Sequence, residues 1–222
     1  MKPATEPADS RVTGPADPRV TGPMEPHDIE RRRRVALAGH RGDETGARSG
    51  LTDDSPSVRA TALGALDRLG ALTDEDLGDA LLDPAATVRR RGSELAATRL
   101  GVSIVGLLHD GDPSVVEMTA WSLGERGEHT AVGDLAALVS VESGHRDPLC
   151  REAAVAALGA IGDEAGLPAV LGALGDKPAV RRRAAAALGA FEGPSVDLAL
   201  RRCLDDRDWQ VRQVAEDLLA AE

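Results

Sequence analysis

Apolar residues along this chain recur at helical spacing and do not alternate as they would in a half-buried strand. Taking Arg59, Arg89, Val116, Arg151, Arg181 and Arg212 as one anchor position, successive anchors are separated by 30, 27, 35, 30 and 31 residues. The residue before the anchor is Val58, Val88, Val115, Cys150, Val180 or Val211. Three residues after it stand Ala62, Gly92, Thr119, Ala154, Ala184 and Ala215, and seven after it Leu66, Ala96, Leu123, Leu158, Leu188 and Leu219. These offsets share one face of a helix, with small residues where a neighbouring helix must come close. A period near 30 predicts stacked repeats.

The ends of the helices are written in the same register. Pro56, Pro113, Pro148 and Pro178 lie three residues before their anchors, and Ser55, Asp112 and Asp147 precede three of them. A capping residue followed by proline satisfies an end donor and fixes φ, so each of these helices starts at a defined place. The second repeat displaces its Asp83-Pro84 by two positions, and the sixth has Asp208-Trp209 instead. Gly70, Gly127 and Gly162 supply stops. A first helix for each unit is expected within 43–52, 74–82, 102–109, 131–142, 163–174 and 195–204. Apolar sets such as Leu77, Leu81 and Leu82, or Leu167, Val170, Leu171 and Leu174, give these helices a buried face. The prediction is an all-α chain of six helical hairpins.

The amino-terminal residues 1–26 differ from this pattern. They contain a direct duplication, ADSRVTGP at 8–15 and ADPRVTGP at 16–23, with too little apolar surface to offset the entropy of ordering. A disordered tail is expected there, with tandem linear binding motifs as the alternative. The folded domain is expected to span 27–222 and to open with a helix capped by Asp28. The four arginines 31–34 of that helix read as a solvated basic face.

Composition narrows the class. With 42% hydrophobic residues the chain can bury a core, yet Trp121, Trp209 and Phe191 are its only aromatic residues. The core must therefore be Ala, Leu and Val, which suits closely packed helices; Trp209 is expected to cover the end of the stack. The formal net charge is −11, and residues 51–222 carry −12. Such a body repels phosphate backbones and argues against nucleic acid as a partner. Two cysteines, Cys150 and Cys203, read as reduced core thiols. The sequence has no apolar run long enough to span a membrane and no signal-peptide core at its start, so no membrane association and a cytoplasmic location are expected.

The phrases DPLCREAAVAALGAIGD (147–163) and DKPAVRRRAAAALGAF (176–191) resemble HEAT repeats, of the bacterial type similar to the repeats of phycobilin lyase subunits. The resemblance covers residues 43–222; the third repeat departs from it through Val116. It implies a right-handed α-solenoid whose second helices line a concave face. It also implies a role for the anchor arginines. An arginine in the first turns of a helix meets the positive end of the macrodipole. In HEAT-like stacks it typically pairs with an inter-repeat aspartate. Arg59, Arg89, Arg151, Arg181 and Arg212 are thus expected to form a structural ladder with Asp54, Asp83, Asp147, Asp176 and Asp206. Arg90, Arg91, Arg182 and Arg183 are left over and are the candidate partner-binding residues, on a basic stripe facing an acidic segment.

Catalytic signatures are missing from the sequence. His27, His40, His109, His129 and His145 never fall at i,i+4, and no His-Glu dipeptide occurs. On that ground the helical-repeat hydroxylases, which need paired His-Glu motifs for iron, are expected to be excluded. A HEAT-like DNA glycosylase would require a basic groove; Trp121 could supply the ring and Glu117 or Glu125 the carboxylate. A lyase-like action on a bilin chromophore is implied only by the repeat type. The expectation is a non-enzymatic, monomeric scaffold with no cofactor, binding a protein or peptide on its concave face.

Overall fold

The structure, a computed structural model, describes residues 26–140 and 142–221. The duplicated octapeptides lie outside the described residues. Twelve α-helices follow one another among the described residues: α1 (Pro26–Arg41), α2 (Glu44–Arg48), α3 (Pro56–Leu69), α4 (Asp74–Leu81), α5 (Ala86–Ala96), α6 (Pro113–Arg126), α7 (Val132–Val139), α8 (Pro148–Ile161), α9 (Leu167–Ala173), α10 (Pro178–Ala187), α11 (Pro194–Cys203) and α12 (Trp209–Ala220). They form the two rows of an α-solenoid. One row runs α1, α3, α5, α6, α8, α10, α12, each helix packed on the next. The other holds α2, α4, α7, α9 and α11, with the 3-10 turn Val105–His109 filling the place between α4 and α7.

The first row is packed tightly because the sequence places glycine against alanine. A Cβ on Gly39 of α1 would lie 2.8 Å from Ala65 Cβ of α3; on Gly124 of α6, 2.9 Å from Ala157 Cα of α8; and on Gly159 of α8, 2.7 Å from Ala187 Cβ of α10. Helices of the other row touch one another far less. The row with the shorter spacing lies on the inside of the curve, so the exposed face of α1 to α12 is the concave one. Between the rows runs one continuous core whose largest fully buried members include Leu63, Leu66, Leu77, Leu123, Leu135, Leu158 and Leu188. Buried hydroxyls are satisfied across α5 and α6: Ser93 Oγ lies 2.9 Å from Thr119 Oγ1, and Ser122 Oγ donates to the Ser93 carbonyl.

Local signals account for most boundaries. Asp112, Asp147 and Asp208 accept at 2.9–3.0 Å from the backbone N–H two residues on, while Ser55 makes no such bond. Gly70, Gly127 and Gly162 end their helices at φ of 67°, 60° and 67°, a left-handed conformation that only glycine adopts without cost. Three expectations need correction. Helix α1 begins at Pro26, so Asp28 is no cap; it lies in the first turn and accepts from Arg31 at 2.6 Å. The first helix of the third repeat is reduced to a 3-10 turn. The irregular connector that leads from α5 into that turn is held by Arg126, whose guanidinium donates to the carbonyls of Ala96, Arg99 and Val102. Trp209, at 64% exposed, covers no core, and the aromatic that is buried is Phe191.

Candidate functional site

The anchor arginines project from the start of each inner helix into the loops beside them. Arg59 donates from Nε and Nη2 to the two carboxylate oxygens of Asp83 (2.8 and 2.7 Å), and Arg89 does the same to Asp110 (2.7 and 2.9 Å). Arg151 holds Asp176 (2.6 and 2.7 Å) and Arg181, itself 4% exposed, holds Asp206 (3.1 and 3.1 Å). The remaining nitrogen, Nη1, turns back to the carbonyl five or six residues before its own arginine, for example Arg59 to Asp53 (2.9 Å) and Arg151 to His145 (2.6 Å). The carboxylate in turn accepts a backbone N–H of its own loop, Ala85 for Asp83 and Asp112 for Asp110. One bidentate pair thus ties a helix to its own loop and to the loop of the following unit.

These contacts revise the expected partners. Asp54 offers its carbonyl, at 3.1 Å from Arg59, where its carboxylate was expected, and Asp147 caps α8. Asp83, read as a displaced cap, is the loop aspartate six residues before Arg89. Arg212, in the sixth unit, pairs with no aspartate carboxylate among the described residues and donates to the Asp206 carbonyl at 2.7 Å. A further ion pair in the same series was missed: Arg31 Nε of α1 lies 3.1 Å from Asp53, without the hydrogen-bond geometry of the bidentate rungs, while its Nη2 donates to Asp28. The signal was present, since Gly39 and Gly42 follow Arg31 at the offsets where Gly159 and Gly162 follow Arg151. The row therefore starts with α1, whose arginines are not all a solvated face. One rung is empty at both ends: Val116 is fully buried where an arginine is expected, and His145 occupies the aspartate's place. His145 Nδ1 still accepts the Asp147 N–H at 3.1 Å, so it keeps the turn-holding half of the aspartate's task.

Ionisation follows from these pairs. Hydrogen bonds from Arg89 hold the Asp110 carboxyl below the usual carboxylate range, and those from Arg151 do the same for Asp176, against burial that pushes both upward. For Asp83 and Asp206 burial is the largest influence and pushes up, but the arginine and backbone hydrogen bonds together outweigh it. The Cys203 thiol is pushed up by burial and is, like Cys150, buried and outside any disulfide.

The leftover arginines do not form one stripe. Arg91 pairs with Glu94 at 2.9 Å, its guanidinium against Gly64 of α3. Arg182 donates to Gln210 and to the Pro178 carbonyl and lies 3.5 Å from Asp208. Arg183 faces Glu152 at 3.6 Å, and Arg90 is exposed. Between the α5 and α10 arginines the inner face is acidic.

There, α6 and α8 frame a groove of about 700 Å³. Its floor is Met118, Trp121, Ala153, Ala156 and Ala157; its rim is Glu94, Glu117, Glu125, Glu152, Leu149 and Arg183. Trp121 is 45% exposed and Leu149 47%. The groove exists because the position of Trp121, five after the anchor, is taken by Ala156 on α8 and Ala186 on α10. A large ring on one helix and a methyl on the next leave open space beside the indole. The structure thus brings Trp121, Glu117 and Glu125 into one site, with carboxylates and no basic lining on most of its rim. Among the described residues no group of three His, Cys, Asp or Glu side chains is arranged to hold a metal ion.

Comparison with known proteins places the fold. No curated protein sequence matches the chain. Among solved structures, YibA of Escherichia coli superposes with a TM-score of 0.59 at 15% identity, over 90% of this chain and 77% of its own. The CpcE–CpcF complex of phycocyanin lyase from Nostoc aligns over 99% of both chains at 16% identity, with a TM-score of 0.46. Human deoxyhypusine hydroxylase aligns over 86% of this chain and 78% of its own at 23% identity, with a TM-score of 0.45. Residues 135–220 match the family described as HEAT repeats, and the same two-row packing continues from there to α1: the chain is an all-α solenoid of stacked helical repeats, similar to HEAT repeats over residues 135–220.

Proposed function

We propose that this protein is a non-enzymatic scaffold that holds a protein or peptide segment on its concave face, in the groove over Trp121. The observation that carries this reading is the grouping of Trp121, Met118 and Leu149 in one open groove of the inner row. An exposed indole beside exposed aliphatic surface is the kind of anchor that dominates protein interfaces. The lining residues offer shape, an aromatic face and charge, without a nucleophile held by a base. An acidic rim also disfavours a phosphate backbone, which argues against action on DNA despite the nearness of Trp121 to Glu117 and Glu125.

Affinity capture from native cell extract tests the proposal. The tagged wild type and a Leu198→Ala variant, altered on the outer row, should retain the same nuclease-resistant protein partner. A Trp121→Ala/Leu149→Ala variant should lose it, since removing an anchor tryptophan costs about 2 kcal/mol or more. Retention of the same partner by the groove variant, or loss of every partner on nuclease treatment, would contradict the reading.

A further inference from the structure

The rim of the groove carries a specific charge arrangement. Glu117, Trp121 and Glu125 stand at i, i+4 and i+8 on α6, so a carboxylate sits one helical turn to either side of the exposed indole. The other two rim carboxylates are already engaged: Glu94 with Arg91 at 2.9 Å and Glu152 with Arg183 at 3.6 Å. Glu117 and Glu125 pair with no cation of the described residues. Glu125 is also badly placed for its own helix. It lies in the last turn of α6, where the macrodipole disfavours a carboxylate, and the adjacent Arg126 is turned away into backbone carbonyls. Across the groove Ala153, Ala156 and Ala160 present only methyl groups, leaving room for a long side chain over the ring.

We infer that the groove takes a cationic segment of its partner, with one arginine or lysine lying over the face of Trp121 between Glu117 and Glu125. A planar guanidinium gains from the indole face and from both carboxylates at once, whereas an acidic segment faces four rim carboxylates, Glu94, Glu117, Glu125 and Glu152, with Arg183 as the one cation of the lining. This rests on the scaffold reading above and specifies the chemistry of its partner. It reverses the expectation that leftover arginines seize an acidic segment.

The test uses the full chain with Trp209→Phe, which leaves Trp121 as the only tryptophan. Fluorescein-labelled twelve-residue peptides of alternating serine with arginine, with glutamine or with glutamate are titrated at about 150 mM salt, where long-range attraction is screened. Anisotropy and Trp121 fluorescence are both read. The arginine peptide should bind and change the Trp121 signal, and the glutamine and glutamate peptides should bind at least about tenfold more weakly. Glu117→Gln/Glu125→Gln and Trp121→Leu should each weaken the arginine peptide about tenfold. Glu216→Gln/Asp217→Asn, which removes the same charge from exposed positions of α12, should change it less than about twofold.

Equal binding of the three peptides, or an equal loss in the α12 variant, would overturn the assignment. The capture experiment separates the two levels. If the groove variant loses its partner while the peptides do not discriminate by charge, the scaffold stands and the cation is wrong. If the groove variant keeps its partner, the scaffold reading itself fails.

Discussion

An anchor arginine such as Arg151 is held from three sides: two carboxylate oxygens of Asp176, the His145 carbonyl and the Arg146 carbonyl at 3.2 Å. We propose that these pairs set the stacking register of the repeats. Arg151→Ala leaves Asp176 largely buried without its cation and should lower stability by about 2 kcal/mol. Arg182→Ala, whose contacts are exposed, should cost less than about 0.5 kcal/mol. Denaturant midpoints of the two variants check this, and equal values would show the ladder assignment to be wrong. The aspartates give a pH signature as well. Their folded-state carboxyls are held below the ordinary value, so the stability they contribute is complete above the usual carboxylate range and is lost as pH falls below it through the lowered folded-state values. The denaturant midpoint should stay level down to about pH 5 and drop below about pH 4, more shallowly for Asp176→Asn than for wild type. The arginine positions stand out in the sequence because they repeat in phase. Of the five aspartates expected as partners, Asp83, Asp176 and Asp206 do accept an anchor arginine, each from the preceding unit. Asp54 and Asp147 serve other contacts, and Asp53 and Asp110 were missed although each stands six residues before an anchor position, because neighbouring aspartates in the same loops compete for the reading.

At the scale of the helix, the close packing of the inner row depends on glycine where a Cβ would strike the neighbouring backbone. Gly124→Ala should therefore destabilise by about 1–3 kcal/mol through overpacking, although alanine is the better helix former. At Gly78 of α4 an added Cβ would meet nothing within 4 Å, and Gly78→Ala should stabilise by about 0.5–1 kcal/mol. Thermal unfolding of the two variants should move in opposite directions; a shift of the same sign in both would contradict the packing account. Most helices were legible because caps, prolines and glycines repeat at fixed offsets. Two features were not. Helix α1 carries the anchor, the glycine contact and the glycine stop, yet its run of Arg31 to Arg34 hides the repeat behind charge. The other is the shortened outer element at Val105–His109: the connector before it is held by Arg126, whose reach to carbonyls 24 to 30 residues earlier has no local mark.

Across the whole molecule, net charge is a poor guide to the binding face. Residues 51–222 carry −12 overall, but the inner face is banded: arginines on α5 and α10 are mostly neutralised within the chain, and the carboxylates left without cationic partners flank Trp121. The groove was legible only in part. Trp121, Glu117 and Glu125 can be named from sequence, but the cavity arises from alanines on the next helix, and facing positions on different repeats emerge only once the stacking register is known. The central claim is that this groove is where the partner lies. Site-specific photo-crosslinking tests it most directly, with benzoylphenylalanine placed in one protein at exposed position 160, which lines the groove and leaves Trp121 in place, and at exposed position 198 of α11 in another, followed by mass spectrometry of the joined peptides. The account predicts adducts from position 160 to a single partner segment containing arginine or lysine, and none to that segment from position 198. Adducts to that partner from position 198 with none from position 160 would contradict it.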